Sequence, residues 1–164
     1  MNRCFSKLAV HNNPRILQAV VVVTAALFLV GCGTPPPEIV PVTGRVTIDG
    51  KPINNVEVRF YPTIEGLDGN MVGIGVTDAD GNYKLALPGK PDSGACACET
   101  KIVIMEGPLP EGIRGGPNER EETAKFEKSL KNRPIPKDMT RIADTPLSVT
   151  VTTDQTVYDL ELAR

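Results

Sequence analysis

The chain has 164 residues with 18 basic and 20 acidic side chains, a formal net charge of −2 and a single histidine, His11. A length in this range fits one domain of ordinary size, and the acidic balance argues against nucleic acid or anionic lipid as a partner. Aromatic residues make up 4% and tryptophan is missing, which speaks against a stacking platform for sugars.

Met1 to Arg15 carry Arg3, Lys7 and Arg15 and no acid. Ile16 to Val30 follow as an apolar run interrupted only by Gln18 and Thr24. A basic segment, an apolar core of ~7–15 residues and small residues before cleavage make up the secretory pattern. A membrane-spanning helix needs ~20 apolar residues, so an uncleaved anchor is the weaker alternative. The run closes on Leu29-Val30-Gly31-Cys32, which resembles a bacterial lipoprotein signal with cleavage before Cys32 and lipid on its sulfur. Residues 1–31 are therefore expected to form a helical signal peptide, and the membrane becomes a partner through Cys32. Two or three acyl chains, at ~0.8 kcal/mol per buried methylene, anchor stably where one does not. Gly33 and Thr34 follow the cysteine, and the lack of an Asp there favours the outer over the inner membrane. The expected location is thus the cell envelope, with the domain periplasmic or extracellular. Removing residues 1–31 leaves 133 residues with 15 basic and 20 acidic side chains, a net charge of −5.

Residues 32–41 include Pro35-Pro36-Pro37 and Pro41 and read as a semi-rigid extended stalk. The domain is expected over 42–164. Val42, Val46 and Ile48 open a β pattern that Asp49-Gly50 ends with a turn. Val56-Glu57-Val58-Arg59-Phe60 alternates with the period of a half-buried strand. Met71 to Thr77, Tyr83 to Leu87, Lys101 to Met105, Leu147 to Val151 and Tyr158 to Leu162 supply five more runs. Seven short strands separated by turn signals predict an all-β, antiparallel sandwich. The stretch 107–145 interrupts them as an insert. Its first part is Gly/Pro-rich loop, and a helix is predicted over about 118–131. Asn118 would cap it with Glu121 as capping-box partner, and Glu121–Lys125 and Glu127–Lys131 would be i,i+4 pairs. Phe126 and Leu130 form a narrow apolar stripe able to lean on a sheet.

Val42-Thr43-Gly44-Arg45-Val46-Thr47-Ile48-Asp49-Gly50-Lys51-Pro52, with Val56 to Phe60, Thr77-Asp78-Ala79-Asp80-Gly81-Asn82-Tyr83 and Pro88-Gly89-Lys90, resembles the carboxypeptidase regulatory-like, transthyretin-like domain. Ile135-Pro136-Lys137 and Thr145 to Val151 are similar to the closing part of short bacterial lipoproteins carrying that domain. The resemblance covers roughly Pro41 to Leu162, with the insert diverging. It implies a Greek-key, prealbumin-like sandwich, secretion, and usually no assigned activity. A fold by itself licenses no function.

Chemistry is sparse. The one histidine lies in the signal segment, so no Ser/His/Asp or Cys/His arrangement can operate after cleavage. Transthyretin-like hydrolases of purine breakdown resemble this fold but depend on histidines, so a hydrolase ranks last. No catalytic residue, resident metal or cofactor is implied. Asp78-Ala79-Asp80-Gly81-Asn82 tempts a calcium reading, but glycine arrives at the fourth position and the twelfth is Gly89, unlike an EF-hand loop. A tight turn explains it. Cys96-Ala97-Cys98 admits three readings, in this order: a local or labile disulfide, two free cysteines acting as small apolar residues, or a soft-metal site. In an extended segment such a pair stands ~6.5–7 Å apart at Cα, at the wide limit for a bridge. A disulfide there needs a turn. Arg114, Arg120, Arg133 and Arg141 of the insert offer a face for an anionic glycan or an envelope protein. These residues predict a lipid-anchored, non-catalytic structural or interaction module. The alternative is a small binding module for glycan, metal or peptide, using 107–145 or Cys96 and Cys98.

Overall fold

The structure, a computed structural model, describes residues 37–64 and 69–163. In chain order the strands are β1 Ile39–Val40, β2 Thr43–Ile48, β3 Lys51–Pro52, β4 Val56–Pro62, β5 Gly73–Val76, β6 Asn82–Lys84, β7 Ala95–Cys96, β8 Glu99–Glu106, β9 Ser148–Thr150 and β10 Leu160–Leu162. One α-helix, α1 Glu119–Ser129, and short 3₁₀ turns at Gly69–Met71 and Lys137–Thr140 complete them. Each of the seven runs expected from alternation contains a strand. The three additional strands are two residues long, too short to show a period.

The alternation of β4 places Val56, Val58 and Phe60 inside, each 0% exposed, and Glu57 and Arg59 on the other face, where they form an ion pair. β4 is the spine of an antiparallel sheet in the order β5-β4-β8-β9. Its register with β8 runs from Val56 opposite Glu106 to Pro62 opposite Thr100, so Ile102 and Ile104 share its inner face. A second sheet runs β10-β2-β3, with β6 also on β2. It contributes Val46, Ile48, Tyr83, Leu160 and Leu162 to the same core cluster. The two sheets touch where Ile74 and Ala86 exchange backbone hydrogen bonds of 2.9 Å in both directions. Burying side chains of this size is worth ~1.5–3 kcal/mol each, which makes this core the dominant favourable contribution.

The pairing is not antiparallel throughout. β10 lies parallel to β2, Leu160 opposite Val46 and Leu162 opposite Ile48. Alternation cannot distinguish the two directions, because either puts Leu160 and Leu162 inward. The direction is decided by where the chain arrives after β9. Thr43 donates its N–H to Thr156 at 2.8 Å and accepts from the Tyr158 N–H at 2.8 Å, and Asp49 N–H reaches Leu162 O at 3.0 Å.

Gly44 makes this approach feasible. A Cβ there would lie 2.0 Å from Tyr158 O and 2.9 Å from the Tyr83 ring. Tyr83 donates its hydroxyl to the same Tyr158 carbonyl, while Tyr158 accepts the Thr152 N–H at 2.9 Å through its own hydroxyl. Phe60 meets both rings, tilted against Tyr83 at 6.3 Å and edge-on to Tyr158 at 6.4 Å between centroids. Edge-to-face contacts of this kind add ~0.5–1.5 kcal/mol beyond area burial. Burial holds the Tyr83 phenol well above its ordinary pKa, with the charges of Asp159 and Tyr158 acting in the same sense.

The structure corrects the reading of the linker 32–41 at its inner end. Ile39 and Val40 form β1, paired antiparallel with Cys96 and Ala95 of β7, and Val40 is 5% exposed. Ladder hydrogen bonds and the burial of Val40 outweigh the polyproline tendency of the flanking residues. Residues 32–36 lie outside the described residues. Among those described, no helix is long and apolar enough to cross a membrane.

The helix occupies nearly the span expected, and Glu121 and Lys125 pair at 2.8 Å. The capping box does not form. The Asn118 side chain makes no cap bond; the Asn118 backbone carbonyl accepts the N–H groups of Glu121 and Glu122, and the Glu119 carboxylate accepts the Gly115 N–H. Lys131 falls past the helix end, so an i,i+4 helical pair with Glu127 has no helical register to use. No residue of α1 is fully buried; Phe126 and Leu130 are half-buried. Beyond it, Ile135 and Met139 enter the core cluster and the Lys137–Thr140 turn packs on β8. The last third of the expected insert thus belongs to the body of the fold.

Gly44→Ala is expected to destabilise the protein by about 2–3 kcal/mol, because β10 must move off β2 to admit the methyl group. Urea unfolding of the variant beside wild type measures it. An unchanged midpoint would mean that the β2–β10 approach is slack.

Candidate functional sites: a dithiol turn and a cleft beneath the helix

Leu29, Val30, Gly31 and Cys32, for which processing and lipidation are expected, lie outside the described residues. The sites that the structure does describe are the cysteine pair and the insert.

Cys96 ends β7, and the chain then bends. The Cys98 N–H donates to the Cys96 carbonyl at 3.0 Å, closing a three-residue turn around Ala97. Sequence reasoning required such a turn for the two sulfurs to approach, and the structure supplies it. Both thiols are free. Cys96 is 0% exposed and its Sγ reaches Met71 O at 3.7 Å, whereas Cys98 is partly exposed. Burial pushes the Cys96 thiol up to about 11, and the neighbouring Cys98 acts in the same direction. Burial also raises Cys98, with the Glu99 charge acting in the same sense and the neighbouring Cys96 against it. Both are held in the thiol form at neutral pH. The backbone around them is held from two sides. Ala97 N–H binds Glu38 O at 2.7 Å, just before β1, and Val151 N–H binds Cys98 O at 2.9 Å. Among the described residues no three His, Cys, Asp or Glu side chains gather as metal ligands. A metal on the pair would have two sulfurs alone from that set.

The insert forms a cleft of about 430 Å³ between α1 and the end of the β4–β8 ladder. Leu109, Phe126 and Leu130 supply its apolar wall, and Asn55, Glu106 and Arg133 its polar floor. Arg133 is the residue that builds it. Its Nε donates to both Glu106 carboxylate oxygens at 2.8 Å, Nη1 to Lys131 O at 2.8 Å, and Nη2 to Asn54 O and Asn55 O at 2.8 and 3.2 Å. Asn54 also accepts the Lys131 N–H at 3.0 Å, and Asn132 donates to Pro52 O. The segment after the helix is thus stitched to the β3–β4 connection. The Asn55 Nδ2 group is buried without a partner among the described residues, and Asn55 takes a left-handed φ of 49°.

Two of the four arginines of the insert are engaged within the chain itself. Arg133 is consumed within the fold, and Arg141 pairs with Asp144 at 3.3 Å. Arg114 and Arg120 stay on exposed positions. The lock between Arg133, Glu106, Asn54 and Asn55 could not be read from the sequence, because Arg133 lies 27 to 79 positions from these partners and no local period links them.

Asp78 also finds an internal role. Its Oδ1 accepts the N–H groups of Asp80 and Asn82 at 2.9 Å each, and Oδ2 accepts the Asn82 amide at 3.2 Å. Gly81, at φ 82°, packs against Val46 O, where a Cβ would stand 2.7 Å away. These bonds, those from Asn82 first, hold the carboxyl below its ordinary 3.8. A depressed folded-state value means the stabilisation is present above about pH 4 and is lost as pH falls through the folded-state pKa. A carboxyl ¹³C titration should give Asp78 a midpoint below 3.8; a midpoint at or above 3.8 would show that the turn bonds do not persist in solution.

Arg133→Ala is expected to cost about 1–3 kcal/mol, since the Glu106 carboxylate and the carbonyls of Asn54, Asn55 and Lys131 lose their donors. Amide exchange across 107–131 should quicken in the variant; exchange at the wild-type rate would mean that the helix is held elsewhere. No protein-family model, curated protein or solved structure matches this chain.

Proposed function

We propose that the protein is exported, cleaved before Cys32 and acylated there, and that it displays a non-catalytic interaction module at the cell envelope. The observation that carries this reading is the apolar run closing on Leu29-Val30-Gly31-Cys32 after a basic start without acids. The rest of the chain supports it by what its groups are engaged in. The only histidine precedes the proposed cleavage point. The Asp78 turn and Arg133 spend their hydrogen-bonding capacity on their own backbone. In this reading the body is a transthyretin-like, Greek-key sandwich of the carboxypeptidase regulatory-like type. The favoured location is the outer membrane, with the domain in the periplasm or outside the cell.

A second reading, a small binding module, is favoured by one feature: the cleft under α1. Its three apolar wall residues suit an apolar peptide side chain better than a sugar, which wants aromatic rings. Binding there would use the insert and leave the anchor unchanged.

Replacing the acylated sulfur tests the anchor. Cys32→Ser is expected to abolish lipid labelling and to release the protein from membranes under a carbonate wash. Should the variant stay with the membrane fraction, the lipid-anchor reading fails.

A further inference from the structure

We propose that Cys96 and Cys98 are a redox-active dithiol that exchanges with an external disulfide and closes to an intrachain bridge across Ala97. The inference stands on the geometry of the turn and holds whether or not Cys32 is acylated.

Three features of the turn support it. The i to i+2 hydrogen bond draws the two Cα atoms inside the ~6.5–7 Å that an extended strand would impose, toward the 4.4–6.8 Å that disulfides span. The two cysteines flank a single turn residue, and neither thiol is bridged elsewhere. The backbone that must hold still during closure is tied down at both ends, by Glu38 O to Ala97 and by Val151 N–H to Cys98 O. A bridge here closes a loop too short to constrain the unfolded chain much, so it adds little stability. Its chemistry is exchange.

The two sulfurs have different parts. Cys98 is partly exposed while Cys96 is 0% exposed, so Cys98 is the sulfur that meets the oxidant. Its thiolate attacks one sulfur of an external disulfide, expelling one thiolate and leaving a mixed disulfide on Cys98. Cys96, buried behind it, then loses its proton, attacks Cys98 Sγ and expels the second thiolate. Protein thiols lose two electrons and two protons. The external disulfide takes them and leaves as two thiols. Because both thiols titrate above neutrality, the exchange should run faster as pH rises.

The site lies where the chain enters the domain. β7, which carries Cys96, pairs with β1, the first strand after the proline-rich segment. Closure of the ring therefore acts on the residues that connect body and tether.

The experiment uses the full chain in detergent, equilibrated with mixtures of reduced and oxidised glutathione, quenched with acid, alkylated and cut with trypsin. Residues 85–101 form one tryptic peptide with both cysteines and no others. The expected result is a passage from a doubly alkylated peptide to an unalkylated one lighter by two hydrogens. Cys96→Ser is expected to stop at a glutathione adduct on Cys98. Cys98→Ser, which leaves the buried position intact, should give an unbridged Cys96 that alkylates only after unfolding. Three results would overturn the proposal: a wild-type peptide still doubly alkylated in excess glutathione disulfide, one that keeps glutathione, or one linked to a second chain.

Discussion

The structure depends on one close approach: the last strand laid parallel along β2 across a residue with no side chain. Gly44 clears the space, the Tyr83 hydroxyl takes the Tyr158 carbonyl, and Phe60 wedges against both rings from the opposite sheet. A single aromatic cluster thereby joins β4, β6 and the approach to β10. Without it the C-terminal segment would have no fixed direction, since its two inward leucines suit a parallel or an antiparallel neighbour equally. With it, the two four-stranded sheets enclose one core of branched aliphatics.

That closed body explains how the chain tolerates an insert whose own core is almost nil. α1 buries no residue completely and is held from its C-terminal side by the Arg133 lock. A surface element anchored at one end, with an open cleft beneath it, belongs to the low-stability part of a protein, from which binding segments are commonly drawn. The dithiol turn is the opposite case. It is short, its backbone is bonded at both ends, and one sulfur is wholly buried. The fold thus offers one adaptable surface and one rigid, reactive point, far apart in sequence.

Much of this was legible in the residues themselves. The strand runs, the helix position and the turn at Asp78 follow from period, Gly and Pro placement and the reach of a short carboxylate, all interactions within about ten residues. The cysteine pair was visible, as was the need for a bend between them. What was not legible shares one character. The parallel direction of β10, the recruitment of Ile39–Val40 into a strand, the entry of Ile135 and Met139 into the core and the Arg133 lock all join distant segments. None has a local period to announce it.

The sequence alone determined which residues face inward and where the chain turns, because sterics, side-chain periodicity and hydropathy act along the chain. Only the tertiary structure decided which edge receives the last strand, what Arg133 binds and how the backbone bends between Cys96 and Cys98. Those outcomes depend on which backbone groups are left unpaired once the sheets have closed, and that is a property of the assembled fold.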